Sequence, residues 1–181
     1  MAQGRLFAVV GPSGAGKDTL MQAAAAQMPG LALARRVITR PSAAGGEDFE
    51  GVTAPVFQRR AAAGDFALSW QAHGLRYGVP IGIEADLEAG RVVLFNGSRA
   101  ILGTAMARYP DLRVLHITAP ADVLAERLAA RGRETAGDIE RRLQRADYDL
   151  PGGLNVVTID NSGALADAVA RLIAALQPES V

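Results

Sequence analysis

Near the amino terminus, Gly11-Pro12-Ser13-Gly14-Ala15-Gly16-Lys17 matches the spacing G-x-x-x-x-G-K. The chemistry served by that spacing is phosphate binding. Backbone N–H groups of such a loop turn inward as an anion nest, and the positive end of the following helix adds to it. Side chains would block the anion, so glycines are needed. Lys17 supplies a compact ammonium that can follow charge moving between β- and γ-phosphates, which a planar guanidinium does less well. It is the one lysine of the chain, every other basic residue being arginine. Asp18 and Thr19 follow, and at the position of Asp18 a Ser or Thr hydroxyl commonly reaches magnesium. A carboxylate there either ligates Mg2+, directly or through water, or is a first-turn acid favoured by the helix dipole. Gly11 to Thr19 are thus the candidate residues for ATP, and Asp18 is the candidate metal ligand. A glycine-rich turn used only for tight packing is the alternative, and it leaves Lys17 unexplained.

Such a loop needs a strand before it and a helix after it. Apolar runs rich in β-branched residues at Leu6–Val10, Val92–Phe95, Val114–Thr118 and Val156–Ile159 predict strands. Helical patterns cover Lys17–Met28, Ser98–Tyr109, Ala121–Arg131, Asp138–Tyr148 and Leu165–Leu176. The alternation predicts an α/β fold of the P-loop NTPase type, with a parallel five-stranded sheet core and helices on both faces. Residues 1–34 and 91–181 form that core. Residues 35–90 differ, with short β-like pieces, several glycines and a helix starting near Thr53-Ala54-Pro55, and are expected to be an inserted acceptor-binding region. A crowd of arginines and acids over about 127–147 predicts a small helical lid.

Composition limits the partners. Basic and acidic residues balance at 19 each over 181 residues, which argues against a protein that coats nucleic acid, since that requires a net basic surface. No stretch approaches the roughly 18 apolar residues of a membrane span. Leu6–Val10 is too short for a signal-peptide core. The absence of cysteine excludes disulfides and thiolate metal sites and suits a reducing cytoplasm. A cytoplasmic enzyme with a small-molecule partner is expected. The oligomeric state stays open, a homodimer being one option.

Further segments, in order from Gly11 to Asn161, resemble the guanylate-kinase family of P-loop kinases. Gly11–Leu20 is similar to its phosphate loop, and Val37-Ile38-Thr39-Arg40 followed by Gly46-Glu47 to its acceptor segment. Gly74-Leu75-Arg76-Tyr77-Gly78 is similar to its G-x-x-Y-G turn. Arg127-Leu128, Arg131-Gly132, Glu134-Thr135, Ile139 and Arg142-Leu143 are similar to its lid. The resemblance implies that Arg40 and Tyr77 grip an acceptor phosphate, while Arg131 and Arg142 act with Lys17 as catalytic cations over the transferring phosphoryl group.

The departures from that family fall on the groups that read guanine. Pro41-Ser42-Ala43-Ala44 lacks its second arginine, Asp48–Thr53 lacks its tyrosine, Asn96 replaces an aspartate, and Leu68 aligns with its base-reading acid. An apolar residue at such a position leaves buried donors unpaired, a loss of about 1–3 kcal/mol or more. Gly16-Lys17-Asp18, Ser69-Trp70, His73-Gly74, Tyr77-Gly78 and Asn96-Gly97-Ser98-Arg99 are instead similar to the ribose 1,5-bisphosphate phosphokinases of bacterial phosphonate catabolism. That resemblance implies phosphoryl transfer from ATP to the 1-phosphate of ribose 1,5-bisphosphate, giving 5-phosphoribosyl 1-diphosphate. A base-free sugar bisphosphate needs anion-binding arginines and polar partners, a need that Arg40, Arg76, Arg99 and Asn96 suit. Thr39, Tyr77 and Gly78 complete the candidate substrate site. A guanylate kinase-like nucleoside monophosphate kinase and a non-catalytic guanylate-kinase-like binding module are the alternatives.

Other polar residues have plainer readings. Arg127, Arg141 and Arg145 read as solvated helix charge. Trp70 reads as core or pocket wall, and His116, within a strand pattern, as structural. His73 is placed to assist the acceptor, although an ionised phosphate nucleophile requires no general base.

Overall fold

Leu6–Val10 is apolar at every position because the strand that contains it is covered on both faces. In the computed structural model, which describes residues 3–12, 14–42, 47–132, 135, 137 and 150–178, this strand is β1 (Arg5–Val10), and α1 (Lys17–Gln27) follows the phosphate loop. The chain continues through β2 (Leu31–Leu33), β3 (Val37–Ile38), β4 (Glu50–Gly51), α2 (Ala54–Ala62), β5 (Phe66–Ala72), β6 (Leu75–Pro80) and α3 (Ile83–Glu88). It ends with β7 (Val92–Asn96), α4 (Leu102–Arg108), β8 (Arg113–Thr118), α5 (Ala121–Arg131), β9 (Asn155–Asp160) and α6 (Leu165–Leu176).

The larger sheet has five parallel strands in the order β2-β7-β1-β8-β9. The expected five-stranded core is present, and its fifth member is the three-residue edge strand β2, too short to carry a periodic signal. One face packs Phe7, Val9, Leu94, Leu115 and Ile117 against α1, α6 and Leu124 of α5. The other packs Leu6, Ala8, Val10, Val93, Phe95 and Val114 against Ile83, Leu102 and Ala105, and against Ala67, Leu68 and Val79 of the second sheet. Register sets the carboxyl ends level: Val9 lies opposite Asn96, and Val10 opposite His116. The phosphate loop, Asn96 and His116 thus share one edge, where open α/β sheets bind ligands.

The second sheet, β4-β3-β6-β5, lies wholly within residues 37–80. Its β5–β6 hairpin turns on His73 and Gly74, with φ of 52° and 73°, the left-handed pair that suits a two-residue turn. The side chain of Thr53 caps α2 by accepting from the N–H of Val56 at 3.4 Å, with proline in the first turn. Phe57 of that helix stacks on Phe66 at 4.7 Å. A polar strut ties this sheet to the core: Arg108 donates to the Ala67 carbonyl and to Glu84, and the Tyr109 hydroxyl also donates to Glu84, each at 2.8 Å.

The predicted helix Ser98–Tyr109 is a 3-10 turn, Arg99–Ile101, running into α4. The expected helix Asp138–Tyr148, Ser13, Gly46, and the lid candidates Glu134, Ile139, Arg141, Arg142 and Arg145 lie outside the described residues, as does the side chain of Arg131. No helix among the described residues is long and apolar enough to cross a membrane.

Candidate active site

Gly16 caps α1 with φ 87°, and a Cβ there would lie 2.5 Å from Nδ2 of Asn161. Both backbone and space therefore demand glycine. Lys17 folds back over its own loop, its Nζ donating to the Gly11 carbonyl at 2.6 Å and the Pro12 carbonyl at 3.4 Å. This ammonium is held at the mouth of the nest by weak neutral acceptors that phosphate oxygens can replace with charge-assisted bonds. Gly14 and Ala15 are buried beneath the loop, and Thr19 is exposed on α1.

The outer wall of the loop is held by two residues from the carboxyl-terminal part of the chain. Arg127 of α5 donates to the Gly14 carbonyl at 3.0 Å and the Ala15 carbonyl at 3.4 Å, and also to the carbonyl of Asn161. Asn161, immediately after β9 and 5% exposed, donates from Nδ2 to the Ala15 carbonyl at 2.7 Å. The expectation that Arg127 is solvated surface charge is corrected here. It is a partly buried brace.

Across the cleft, the acceptor candidates gather on β3 and β6. The hydroxyl of Thr39 accepts from the Arg76 N–H at 2.9 Å, and the guanidinium of Arg40 lies 4.4 Å from the Phe49 ring centroid. Tyr77 stacks on Trp70 with centroids 5.4 Å apart and ring planes 9° from parallel, so Trp70 is a wall of this region. Gly78 is buried beneath Phe66, whose ring would meet a Cβ at 2.7 Å. Leu68 is 3% exposed in the shared core, so the position expected to read a base carries no polar group. A cavity of about 530 Å3 beside Arg40, lined also by Thr39, Pro41, Gly51, Val52, Thr53 and Val56, opens on the α2 side of this sheet.

Two titratable groups lie close to the loop in sequence or register. The carboxyl of Asp18 is raised above the usual carboxylate range by burial and by Glu47 and Asp48, with Arg36 opposing them, and it accepts from Gln22 at 3.2 Å. Among the described residues no group of three or more His, Asp or Glu side chains is placed to hold a metal. His116 is lowered by burial and by the neighbouring charges of Arg99 and Lys17. Register places His116 opposite Val10, on the strand next to the phosphate loop.

With this geometry in view, comparison with known proteins is informative. No family model matches the chain. The ribose 1,5-bisphosphate phosphokinase PhnN of Agrobacterium fabrum is 51% identical over 178 residues, covering 95% of this chain and 96% of its own length. That of Ruegeria sp. is 51% identical over 179 residues, covering 98% and 94%. The chain belongs to the ribose 1,5-bisphosphate phosphokinase family. Guanylate kinase from Anaplasma phagocytophilum, at 18% identity, superposes with a TM-score of 0.68 over 97% of this chain and 85% of its own. A gluconokinase from Sinorhizobium meliloti gives 0.56 at 19% identity, covering 97% and 93%. Those likenesses establish the guanylate-kinase-like fold.

Proposed function

We propose that the chain transfers the γ-phosphoryl group of ATP to the 1-phosphate of ribose 1,5-bisphosphate, forming 5-phosphoribosyl 1-diphosphate and ADP. The observation that carries this reading is the pairing of a complete phosphate loop with an acceptor sheet whose base-reading position is the buried Leu68. Residues 35–90 receive the acceptor, and the remainder forms the core, with the lid at about 127–147.

In this reading, the loop Gly11 to Gly16 cradles the triphosphate with its N–H groups, Pro12 having none to give, and Lys17 moves from the Gly11 carbonyl to the β- and γ-phosphates. Asp18 is the carboxylate that would hold Mg2+, which when bound neutralises charge on the β- and γ-oxygens. Arg40, Tyr77, Arg76, Asn96 and Arg99 bind and orient the sugar bisphosphate. The nucleophile is an ionised phosphate oxygen, so no residue needs to remove a proton. Arg131 and Arg142 close over the migrating group, where cations stabilise a loose transition state.

A coupled assay of ADP release tests the proposal. Turnover with ribose 1,5-bisphosphate well above that with GMP is the expected result. Equal or faster turnover with GMP would return the chain to nucleoside monophosphate kinase chemistry.

A further inference from the structure

Among the described residues two polar side chains are buried: Asn161, which braces the phosphate loop, and Arg36, 7% exposed, just before β3. Both Nε and Nη2 of Arg36 donate to the two carboxylate oxygens of Glu47. The same guanidinium lies over Tyr77, 4.8 Å from its ring centroid, and 5.9 Å from that of Trp70. Stability alone gives no reason for this pair, because well-packed apolar side chains serve a buried position as well or better.

Register supplies one. Val37 lies opposite Gly78, and Leu68 opposite Val79. The next row across the sheet is therefore Arg36, Val79 and Leu68, on the same face as Ile38, Tyr77 and Trp70, since alternate residues share a face. Arg36 thus stands at the end of the row occupied by Leu68 and packs on the ring of the one tyrosine expected to touch the acceptor. Glu47 neutralises it, so it is not a free cation competing for phosphate.

We propose that Arg36, clamped by Glu47, is a positioning residue for the acceptor, holding the Tyr77 ring against Trp70 so that the Tyr77 hydroxyl meets the phosphate of the sugar bisphosphate. The inference rests on the reading of Tyr77 as an acceptor ligand. A ring fixed by a neighbouring ring and a planar cation loses little freedom on binding, and this preorganisation lowers the KM for the acceptor. Lysine cannot substitute, lacking both the bidentate fork and the flat face.

The test compares Arg36→Met, Arg36→Lys, Tyr77→Phe and the double variant Arg36→Met/Tyr77→Phe in the full chain, varying ATP and ribose 1,5-bisphosphate in turn. Arg36→Met is expected to raise the acceptor KM about tenfold while the KM for ATP stays within about twofold. Arg36→Lys should behave like Arg36→Met, and the double variant should be no worse than Tyr77→Phe. Trp70 is the single tryptophan of the chain, so the fluorescence response to ribose 1,5-bisphosphate should shrink in Arg36→Met, which a purely structural role would leave intact. An unchanged acceptor KM in Arg36→Met, or multiplicative effects in the double variant, overturns the proposal. Should Arg36→Met fail to fold, Glu47→Gln keeps the size and weakens the clamp. A rise in acceptor KM of about threefold to fivefold supports the proposal, and no rise overturns it. If Tyr77→Phe itself leaves the acceptor KM unchanged, the acceptor reading fails instead.

Discussion

The lysine of the phosphate loop is placed by backbone close to it in sequence, whereas the charges and rings of the β3–β6 sheet are placed by side chains that meet only after folding. Lys17 reaches back six residues to Gly11, while Arg36 finds Glu47 eleven residues away and the Trp70–Tyr77 pair across a hairpin. A loop of the first kind binds any nucleoside triphosphate through its phosphates. An array of the second kind can be altered one side chain at a time, and at Leu68, the position expected to read a base, it carries a buried apolar residue.

The largest effect should come from the donor side. Lys17→Ala is expected to lower kcat about a hundredfold to a thousandfold, as loss of one transition-state cation or donor does. Circular dichroism should show the fold intact. Retained turnover would mean that the loop is not where the transferring phosphates lie, and the contrast between the halves would collapse.

Next comes the brace. Arg127→Met removes three charged hydrogen bonds to carbonyls around the loop, and such bonds contribute about 1.5–3 kcal/mol each. The KM for ATP should rise about tenfold, with the acceptor KM nearly unchanged. A larger effect on the acceptor would show that the halves are coupled through α5. Steady-state kinetics with each substrate varied separates the outcomes.

Gly78→Ala sharpens the contrast from the acceptor side. A methyl group 2.7 Å from the Phe66 ring should destabilise the protein by about 1–3 kcal/mol, the ordinary cost of overpacking. Denaturant unfolding measures that loss. If Gly78 serves packing rather than substrate contact, the acceptor KM of the folded variant stays within about twofold.

The smallest effect concerns Asp18, whose carboxyl is raised in the fold by burial and the neighbouring carboxylates. A raised acid binds protons more tightly folded than unfolded, so its favourable contribution is full below the ordinary aspartate value and is lost as pH rises through the folded one. Asp18→Asn should therefore raise the melting temperature of the nucleotide-free protein at neutral pH, with the gain vanishing in acid. Activity at limiting Mg2+ should fall. A melting temperature unchanged at neutral pH would mean that the Asp18 carboxylate carries no net penalty for its burial and its acidic neighbours.

Much of the core was legible because strand β1, the glycines and the start of α1 are contiguous, and their periodicities are strong. The phosphate-loop motif lies in that same contiguous stretch. Arg127 and Asn161 were not, since nothing local distinguishes an arginine that braces a loop from one that is solvated, and only the closure of the sheet brings them to Ala15. Arg36 was hidden likewise: its meaning depends on register, with Val37 opposite Gly78. The three-residue strand β2 carries too little pattern to announce itself.

The most direct test of the central claim is a competition. With γ-labelled ATP and equal concentrations of ribose 1,5-bisphosphate and GMP, label is predicted in the terminal phosphate of a sugar 1-diphosphate, with little GDP formed. Label accumulating in GDP instead would contradict the account.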